Sequence, residues 1–446
     1  MTLRRSLVYG ATSMTTTSSA PAACRVGLLG LGTVGGAVAD LLTRRQSEVS
    51  ARAGISVQLQ RVAVAHPARP RAVALPAGVL VGDVRAVVEA PDVDVVVEVM
   101  GGLEPARTYV LTALEHGKSV VTANKQLMST RGEELLDAAA RAGVDIFFEG
   151  SVAGGIPVIK TIQESLAANR IQQIMGIVNG TTNFILTRMS EDGVGFGEAL
   201  ATAQRRGFAE ADPTDDIDGH DAAAKLAILA SVAFNSRVVS ADVYREGISG
   251  ITPRVIGYAR DMGYVVKLLA IARHADGAIE ARVHPALLPA AHPLAGVNDE
   301  LNAVLIDGDP VGLVMLEGRG AGGGPTASAV VGDVIDAARN LRTGASGRLG
   351  RGSRQHHPIK EMSEAVLPYY VSLEVVDRPG VFARVAAAFG DEQVSIASIV
   401  QKSRGVTADV VLLTHEAPEA ALQRVVDRLR ALDVVAAVHA TLRIAA

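Results

Sequence analysis

Cysteine, tryptophan and an excess of either charge are missing or nearly missing from this 446-residue chain. Cys24 is the only cysteine, which excludes disulfide bonds, a CxxC redox pair and a cysteine-based zinc site. Lys and Arg number 43 against 47 Asp and Glu, and aromatic residues are 3% of the chain, so nothing indicates nucleic-acid binding. No uncharged apolar run reaches the roughly 18 residues that a membrane helix needs. The composition predicts a cytoplasmic protein with no nucleic-acid partner and no membrane partner.

Small apolar residues dominate what is present. The chain is 48% hydrophobic with 45 glycines, and the apolar residues are mostly Ala and Val, which suit parallel strands packed under alanine-rich helices. With roughly 150 residues per domain as the usual size, the length predicts three domains. Residues 1–21 are rich in Thr and Ser, and their apolar patch is too short for a secretory signal, so we interpret them as a disordered N-terminal extension.

The order of apolar runs predicts an α/β protein. Strands alternate with helical stretches across residues 22–150, which is typical of a doubly wound Rossmann domain that binds a nucleotide. Residues 151–325 mix helices with short strands and indicate an α+β domain for catalysis and dimerisation. We assign an apolar helix at 326–343 that packs back on the first domain, a Gly- and Arg-rich linker at 344–367, and a βαββαβ module at 368–446.

A glycine-rich loop follows the first apolar strand. Gly30 permits a tight turn, Gly32 lets the backbone approach a pyrophosphate, and Gly35 permits close packing of helix and strand. The helix that follows offers the free N–H groups of its first turn to phosphates, so Thr33 and Val34 are also predicted cofactor contacts. The alternative is a tight strand-to-helix turn without a ligand, but the loop stands between a strand and a helix as a dinucleotide site requires.

The end of the second strand indicates which coenzyme is used. Val62–His66 offers no acidic residue to bind the ribose hydroxyls of NAD, whereas Arg69 and Arg71 follow closely and are able to bind the extra phosphate of NADP. We therefore favour NADP over NAD. The alternative is that both arginines are solvated loop residues.

Lys125 comes at the end of another parallel strand, after Thr122-Ala123-Asn124. Ligands bind at this edge of such sheets, and a lysine there reaches both cofactor and substrate. A plain surface charge is an equally good interpretation of its position alone.

Six acidic residues crowd between Gly207 and an alanine-rich helix. Asp221 and Lys225 are four residues apart and so lie on one face of that helix. Asp221 near the helix start stays ionised and is able to hold a substrate ammonium, while Lys225 is placed to protonate a substrate oxygen. The alternative is a surface ion pair, but the apolar run at 226–234 predicts a buried helix, and a buried lysine beside carboxylates indicates a functional site.

The segment Phe148–Pro157 is a turn of small residues with one carboxylate, Glu149. Exposed backbone carbonyls and a carboxylate suit a hard monovalent cation. A plain interdomain hinge is at least as good an interpretation of the pattern.

Together, these segments resemble homoserine dehydrogenase over residues 25–343. The motifs that carry the resemblance are the glycine loop, Thr122–Lys125, Glu149–Pro157, Asn179–Asn183 and the acidic run ending in Lys225. The resemblance implies NAD(P)-dependent interconversion of L-homoserine and L-aspartate 4-semialdehyde, in the biosynthesis of threonine, methionine and isoleucine.

The resemblance also implies residue roles. The catalytic residues are Lys225, Lys125 and Asp221. The residues that bind the amino acid are Glu210, Asp216 and Asp221. Further cofactor contacts come from the backbone of Gly207 and Gly322, and a monovalent cation, sodium in the first place, binds Glu149 and the carbonyls of Val152, Gly154 and Ile156. Members often have Arg-Asp where this chain has Ala65-His66, which leaves NAD as the alternative coenzyme.

The C-terminal module resembles an ACT regulatory domain, with Asp377-Arg378-Pro379-Gly380 in its first strand-to-helix turn. The helix N-terminus there is able to hold the carboxylate of an effector, and the resemblance implies L-threonine as effector and a homodimer or homotetramer. The alternative is a structural dimerisation domain without a ligand.

Three other functions are weighed against this one. Aspartate-semialdehyde dehydrogenase works through a cysteine thioester, and Cys24 is at the wrong end of the first strand. Another NAD(P)-dependent oxidoreductase for sugars or amino acids would share the strand-end lysine and is separated only by its substrates. A nucleotide-dependent sensor with an idle catalytic domain is disfavoured by the intact pair of Asp221 and Lys225.

Overall fold

The computed structural model describes residues 22–71, 73–346 and 356–445. The predicted N-terminal extension, residues 1–21, lies outside these ranges, as do residues 347–355 of the predicted linker. Among the described residues, no helix combines the length and the apolar character needed to cross a membrane.

The first sheet has six parallel strands in the order β3-β2-β1-β4-β5-β6. They are β1 (Ala23–Leu29), β2 (Ser56–Ala63), β3 (Leu80–Val81), β4 (Val95–Glu98), β5 (Ser119–Thr122) and β6 (Ile146–Phe147). The helices between them are α1 (Thr33–Arg44), α2 (Gln46–Ala53), α3 (Arg85–Val88), α4 (Ala106–Glu115) and α5 (Lys125–Ala142). All four residues of β4 are buried, because helices cover both faces of the sheet. The predicted doubly wound fold is confirmed, and its ligand-binding crevice lies between β1 and β4, where the strand order reverses.

The second sheet is mixed, as expected for an α+β unit. Its strands are β7 (Arg170–Ile177), β8 (Tyr244–Arg245), β9 (Tyr264–Ala275), β10 (Ala278–Pro289), β11 (Leu301–Asp309) and β12 (Gly312–Arg319), in the order β12-β11-β7-β9-β10 with β8 on β10. Its helices are α6 (Val158–Lys160), α7 (Gly180–Glu191), α8 (Phe196–Arg205), α9 (Thr214–Ile217), α10 (His220–Ala233) and α11 (Pro253–Asp261). Helix α10 is buried along most of its length, which places its polar residues inside the protein.

A long helix, α12 (Gly323–Thr343), returns to the first sheet. Its residues Ala327, Val330 and Val334 share one hydrophobic cluster with Val26 of β1 and Val38 of α1. The glycine-rich segment before α12 is thereby held next to the glycine loop that opens α1.

The C-terminal unit has the predicted βαββαβ order. Its elements are β13 (Val366–Leu367), β14 (Tyr369–Val376), α13 (Val381–Asp391), β15 (Ile396–Gln401), β16 (Thr407–Thr414), β17 (Ala417–Pro418), α14 (Glu419–Ala431) and β18 (Val435–Ile444). The antiparallel order is β18-β14-β16-β15, while β13 and β17 form a separate pair.

Two contacts join this unit to the second sheet. Strand β18 pairs in parallel with β10, so that the two sheets form one continuous sheet. Residues 356–360, in the predicted linker, also contact this part of the protein: Ile359 forms a bridge with Ile279 of β10, and His357 N donates to Ser236 Oγ at 3.1 Å. The C-terminal unit is therefore attached through its last strand as well as through the chain that precedes it.

Candidate active site

The site lies where the carboxyl end of β5 meets the start of α10. Asn124 caps α5 by accepting a hydrogen bond from Leu127 N at 3.1 Å, which fixes Lys125 as the first residue of that helix. Asp221 and Lys225 lie one turn apart in α10, and both are buried, 5% and 9% exposed. The sequence predicted that these three side chains come from two different elements, and the structure brings them together.

One carboxylate joins the two lysines. Lys225 Nζ donates to Asp221 Oδ2 at 2.7 Å and to the carbonyl oxygen of Val178 at 2.8 Å. Lys125 Nζ donates to the other oxygen of Asp221. Burial alone would raise the pKa of Asp221, but the two lysines outweigh it and hold this pKa below its usual range. Asp221 is therefore ionised at neutral pH.

Asn179 links this carboxylate to a second one. Its side-chain oxygen caps α7 by accepting from Thr182 N at 2.8 Å, and its Nδ2 donates to Asp216 Oδ1 at 2.6 Å and Asp221 Oδ2 at 2.8 Å. Burial raises the pKa of Asp216. Sequence reasoning gave Asn179 no role of its own, although an Asn directly before a helix was a signal for a cap.

Glu210 lies apart from this group. It is exposed on the loop that follows α8, where its carbonyl oxygen accepts from Gln204 Nε2 at 3.1 Å. Among the described residues, the side chains that bond the Asp221 carboxylate are those of Lys125, Asn179 and Lys225.

The glycine loop has the geometry of a close helix–strand turn. Gly30 adopts φ +94°, and a Cβ on Gly35 would lie 2.2 Å from the carbonyl oxygen of Gly30. Gly32 and Thr33 are exposed, and Gly32 begins α1 without a side-chain cap. The first N–H groups of α1 are thus open to a ligand.

A cleft of about 450 Å³ connects this loop with the lysines. Among the residues that line it are Val34, Lys125, Lys225, Gly322 and Thr326. Gly322, for which the resemblance implies a cofactor contact, therefore lines the same cleft as the two lysines. Gly207 adopts φ +76° after α8 and is outside the lining of this cleft.

The end of β2 carries the predicted coenzyme-selecting arginines. Arg71 Nη2 donates to the carbonyl oxygen of His66 at 3.1 Å, which holds its guanidinium beside the strand end. Cys24 is buried at the other end of β1, where it pairs with Val57 at the start of β2, and burial raises the pKa of its thiol to about 12. A thiol with so high a pKa does not serve as the nucleophile of a cysteine-dependent dehydrogenase.

The candidate cation site is a buried turn. Both oxygens of Glu149 accept backbone N–H groups, from Ile159 and Lys160, each at 2.8 Å. Burial raises the pKa of Glu149 to about 7. Lys160 Nζ instead pairs with Asp333 at 2.9 Å and Asp336 at 2.6 Å. A carboxylate offers about four acceptor positions. The backbone groups use two of those of Glu149, so two remain for a cation.

The turn's carbonyls are the other predicted ligands. Ile156 O accepts from Val158 N at 2.8 Å, and Val152 and Gly154 belong to the same turn. The described residues contain no cluster of three or more His, Cys, Asp or Glu side chains suited to a metal, so a cation here would depend on backbone carbonyls.

Comparison with known proteins agrees with this geometry. Residues 30–149 match the family model described as homoserine dehydrogenase, NAD binding domain, residues 157–335 match homoserine dehydrogenase, and residues 369–434 match the ACT domain. A homoserine dehydrogenase of Corynebacterium glutamicum is 46% identical over 424 residues, covering 94% of this chain and 95% of that protein. One of Bacillus subtilis is 43% identical, covering 95% and 98%.

Solved structures give the same result. The crystal structure of a homoserine dehydrogenase from Thiobacillus denitrificans is 43% identical, with a TM-score of 0.89, and covers 95% of this chain and 98% of that one. A hyperthermophilic archaeal homoserine dehydrogenase in complex with NADPH is 28% identical, with a TM-score of 0.59, over 70% of this chain and 97% of that one. This chain belongs to the homoserine dehydrogenase family and is an NAD(P)-dependent oxidoreductase with a C-terminal ACT domain.

Proposed function

We propose that this enzyme interconverts L-homoserine and L-aspartate 4-semialdehyde, using NADP(H) in preference to NAD(H). The observation that carries the proposal is the Asp221 carboxylate, shared by Lys125 and Lys225 at the end of a cleft that begins at the glycine loop. This arrangement puts a buried proton donor next to the place where a nicotinamide ring would meet a substrate.

Lys225 acts as the proton donor and acceptor in the proposed reaction. Its ammonium group has three hydrogens, and two of them are used by Asp221 and the carbonyl of Val178. Because Lys225 also lines the cleft, the third hydrogen is free for a substrate oxygen. In the reductive direction Lys225 gives this proton to the aldehyde oxygen as it becomes a hydroxyl; in the oxidative direction the neutral amine takes it back. The nicotinamide cofactor supplies or accepts the hydride.

Carboxylates bind the other end of the substrate. Homoserine and aspartate semialdehyde both carry an α-ammonium, which needs a counter-charge. Asp216 and Asp221 are already joined through Asn179, and Glu210, on the exposed loop after α8, is the third carboxylate of the proposed set. Lys125, between the cofactor loop and Asp221, orients the substrate and contacts the cofactor.

A monovalent cation, sodium in the first place, is proposed at Glu149 with the carbonyls of Val152, Gly154 and Ile156. The support is electrostatic: the buried carboxylate of Glu149 accepts hydrogen bonds only from backbone groups among the described residues, and its raised pKa reflects burial without sufficient compensation. Such an ion would hold the turn that lines the cleft next to α12.

The ACT domain is proposed to bind L-threonine as a feedback inhibitor. Gly380, at φ +87°, begins α13 without a side-chain cap, so the helix start is available to the effector carboxylate. Phe382, Ile399 and Val400 are exposed on the same unit, and β15 is the edge strand of its sheet. These features favour association of copies through this face, giving a homodimer or homotetramer.

Steady-state kinetics test the proposal. The full-length enzyme is assayed with L-homoserine and with a panel of other hydroxy amino acids and sugars, each with NADP and with NAD, in the presence and absence of L-threonine. We expect homoserine to have the highest kcat/KM and NADP to be the better coenzyme. A higher kcat/KM for a substrate without an α-ammonium would refute the assigned role of the carboxylates.

A further inference from the structure

A buried charge cluster joins the last strand of the protein to the catalytic unit. Arg443 of β18 is 4% exposed. Its guanidinium donates Nε and Nη2 to Glu419 at 2.8 and 2.6 Å, and Nη1 and Nη2 to Glu246 at 2.8 and 2.9 Å. One arginine therefore holds a carboxylate of the ACT unit and a carboxylate of the catalytic unit in two bidentate pairs, which is the most geometrically restrictive way to pair these groups.

Two phenols complete the cluster. Tyr369 of β14 donates to Glu419 Oε2 at 2.9 Å, and Tyr244 of β8 donates to Glu246. Each carboxylate is thus fixed by Arg443 and by a tyrosine of its own unit. Two charge-assisted hydrogen bonds from Arg443 therefore couple the Glu246 carboxylate to the position of β18.

Glu246 is tied through the backbone to helix α9. Glu246 N donates to Val283 O at 2.8 Å, and two residues later Ile248 N donates to Ile217 O, the last residue of α9, at 2.9 Å. Gly247 lies between them, where a Cβ would be 2.4 Å from Ile217 O. Only glycine permits this approach, so the segment after Glu246 packs directly on the end of α9.

Helix α9 carries Asp216 into the active site. The helix has four residues and no side-chain cap, so its position depends on its neighbours. On one side it is held by Ile248 N, and on the other Asp216 bonds Asn179, which also bonds Asp221. The contacts thus run without a gap from Arg443 to Glu246, from the segment after Glu246 to α9, and from Asp216 to Asn179.

We propose that Glu246 is a positioning residue, through which Arg443 of the terminal strand sets the placement of Asp216 for binding the substrate ammonium. This inference rests on the proposed function, since it takes Asp216 as an ammonium ligand. It assigns Glu246 to substrate affinity and leaves proton transfer to Lys225, so a change at Glu246 affects the KM for homoserine and leaves kcat and the KM for NADP nearly unchanged.

The test compares Glu246→Gln with a matched control, Glu392→Gln, in the full-length enzyme. Glu392 also accepts two arginine side chains, Arg424 and Arg428, each at 2.6 Å, but within the ACT unit. We expect Glu246→Gln to raise the homoserine KM at least about fivefold, the lower end of typical coupling between sites, and Glu392→Gln to leave it unchanged. Should Glu246→Gln not fold, Tyr244→Phe removes one hydrogen bond to the same carboxylate and is expected to raise the same KM less.

A double-mutant cycle decides whether Glu246 acts through Asp216. If it does, adding Glu246→Gln to Asp216→Asn raises the homoserine KM little further, because the positioned group is already lost. Additive effects, or equal effects of the Glu246 and Glu392 variants, would overturn the proposal. Absence of homoserine turnover in the unmodified enzyme would instead count against the proposed function, so the two failures are distinguishable.

Discussion

Lys225 donates to the carboxylate of Asp221 at 2.7 Å from one helical turn away, and both side chains are buried. On a protein surface such a pair, four residues apart, contributes only a few tenths of a kcal/mol. Here the pair lies at the start of a buried helix, and Lys125 of a different domain donates a hydrogen bond to the same carboxylate. Because Asp221 keeps its hydrogen bonds to Lys125 and Asn179 when Lys225 is removed, we expect the loss of Lys225 to affect chemistry more than stability.

Replacing Lys225 with Ala should lower kcat by about 10² to 10⁴, the range for loss of a positioned general acid–base. Coenzyme affinity should be nearly unchanged, because the glycine loop and the start of α1 remain intact. Single-turnover hydride transfer and NADPH fluorescence titration measure the two quantities. The control is Arg44→Ala, which removes an exposed pair with Asp40 and should leave both unchanged. A Lys225→Ala enzyme with a near-normal rate would contradict the assigned role.

Adjacent glycines of α1 provide a matched pair for the cofactor loop. A Cβ at Gly35 would lie 2.2 Å from Gly30 O, whereas a Cβ at Gly36 meets nothing within 4 Å. Gly35→Ala should therefore raise the KM for NADP and lower the melting temperature. Gly36→Ala should be neutral or stabilising by up to about 1 kcal/mol, the difference in helix propensity. Thermal unfolding and coenzyme titration of both variants check this, and equal behaviour of the two would show that the turn does not constrain the loop.

The elements that carry local patterns could be predicted from the sequence. The glycine loop, Lys125 at a strand end and the buried helix of Asp221 and Lys225 each depend on short spacings, and each lies where expected. The sequence predicts only short strands in residues 151–325, whereas β9 (Tyr264–Ala275) has 12 residues, because a short apolar run does not show by its pattern alone whether it belongs to a strand or to a buried helix. Helix α12 begins at Gly323, whereas the apolar pattern becomes clear only at Thr326, since glycine is a poor helix former.

Contacts between distant segments could not be predicted. Arg443 and Glu246 are 197 residues apart in sequence, and nothing in either local pattern indicates the other. The pairing of β18 with β10 could not be predicted either, because it joins Ala286 and Leu287 to Arg443 and Ile444, and the local pattern of each strand does not indicate its partner. Glu210, predicted to bind the amino acid, also lies on a loop, whose position is set by tertiary contacts and not by spacing.

The pH dependence of stability should show the buried Glu149. Burial raises its pKa to about 7, so between the ordinary value of about 4.3 and that value the folded state binds more protons than the unfolded chain. The free energy of unfolding contributed by this group therefore falls as pH rises through this window. Asp333, whose pKa burial raises to about 6, contributes in the same direction.

A cation that binds the ionised form should reverse this loss. We expect sodium chloride to raise the melting temperature relative to choline chloride of equal ionic strength at about pH 8, and to do so much less at about pH 5, where Glu149 is protonated. Glu149→Gln should abolish the difference while retaining the part of the pH dependence that comes from Asp333. No sodium effect at the higher pH would refute the cation site.

Coenzyme preference should depend on the arginines after β2. Arg69→Ala combined with Arg71→Ala should raise the KM for NADP by about tenfold or more and leave that for NAD nearly unchanged, because only NADP carries the phosphate that a guanidinium pairs with. The ratio of kcat/KM for the two coenzymes, measured before and after the change, is the readout. If kcat/KM falls equally for both coenzymes, the arginines stabilise the loop and do not bind the phosphate of NADP.

Regulation is better tested by a point change than by truncation. Ala445 N donates to Leu287 O at 2.9 Å, and Ile444 belongs to the same hydrophobic cluster as helix α10. Removing residues 344–446 would expose the edge of β10 and part of that core, so we expect a destabilised enzyme with a lower melting temperature. A loss of threonine inhibition in such a truncation would therefore not identify the effector site.

Asp377→Ala leaves these contacts in place. Asp377 is exposed, and its Oδ2 accepts from Gly405 N at 3.2 Å, far from β10. If the start of α13 holds the carboxylate of threonine and Asp377 pairs with its ammonium group, this variant should raise the concentration needed for half-inhibition by about tenfold or more, the usual worth of a lost charge-assisted hydrogen bond, at unchanged kcat and melting temperature. Arg430→Ala, which removes an exposed ion pair with Asp427 on α14, is the matched control, and threonine should inhibit this variant as it inhibits the unmodified enzyme. Unaltered inhibition of the Asp377 variant would show that the ammonium group of the effector does not pair with this carboxylate.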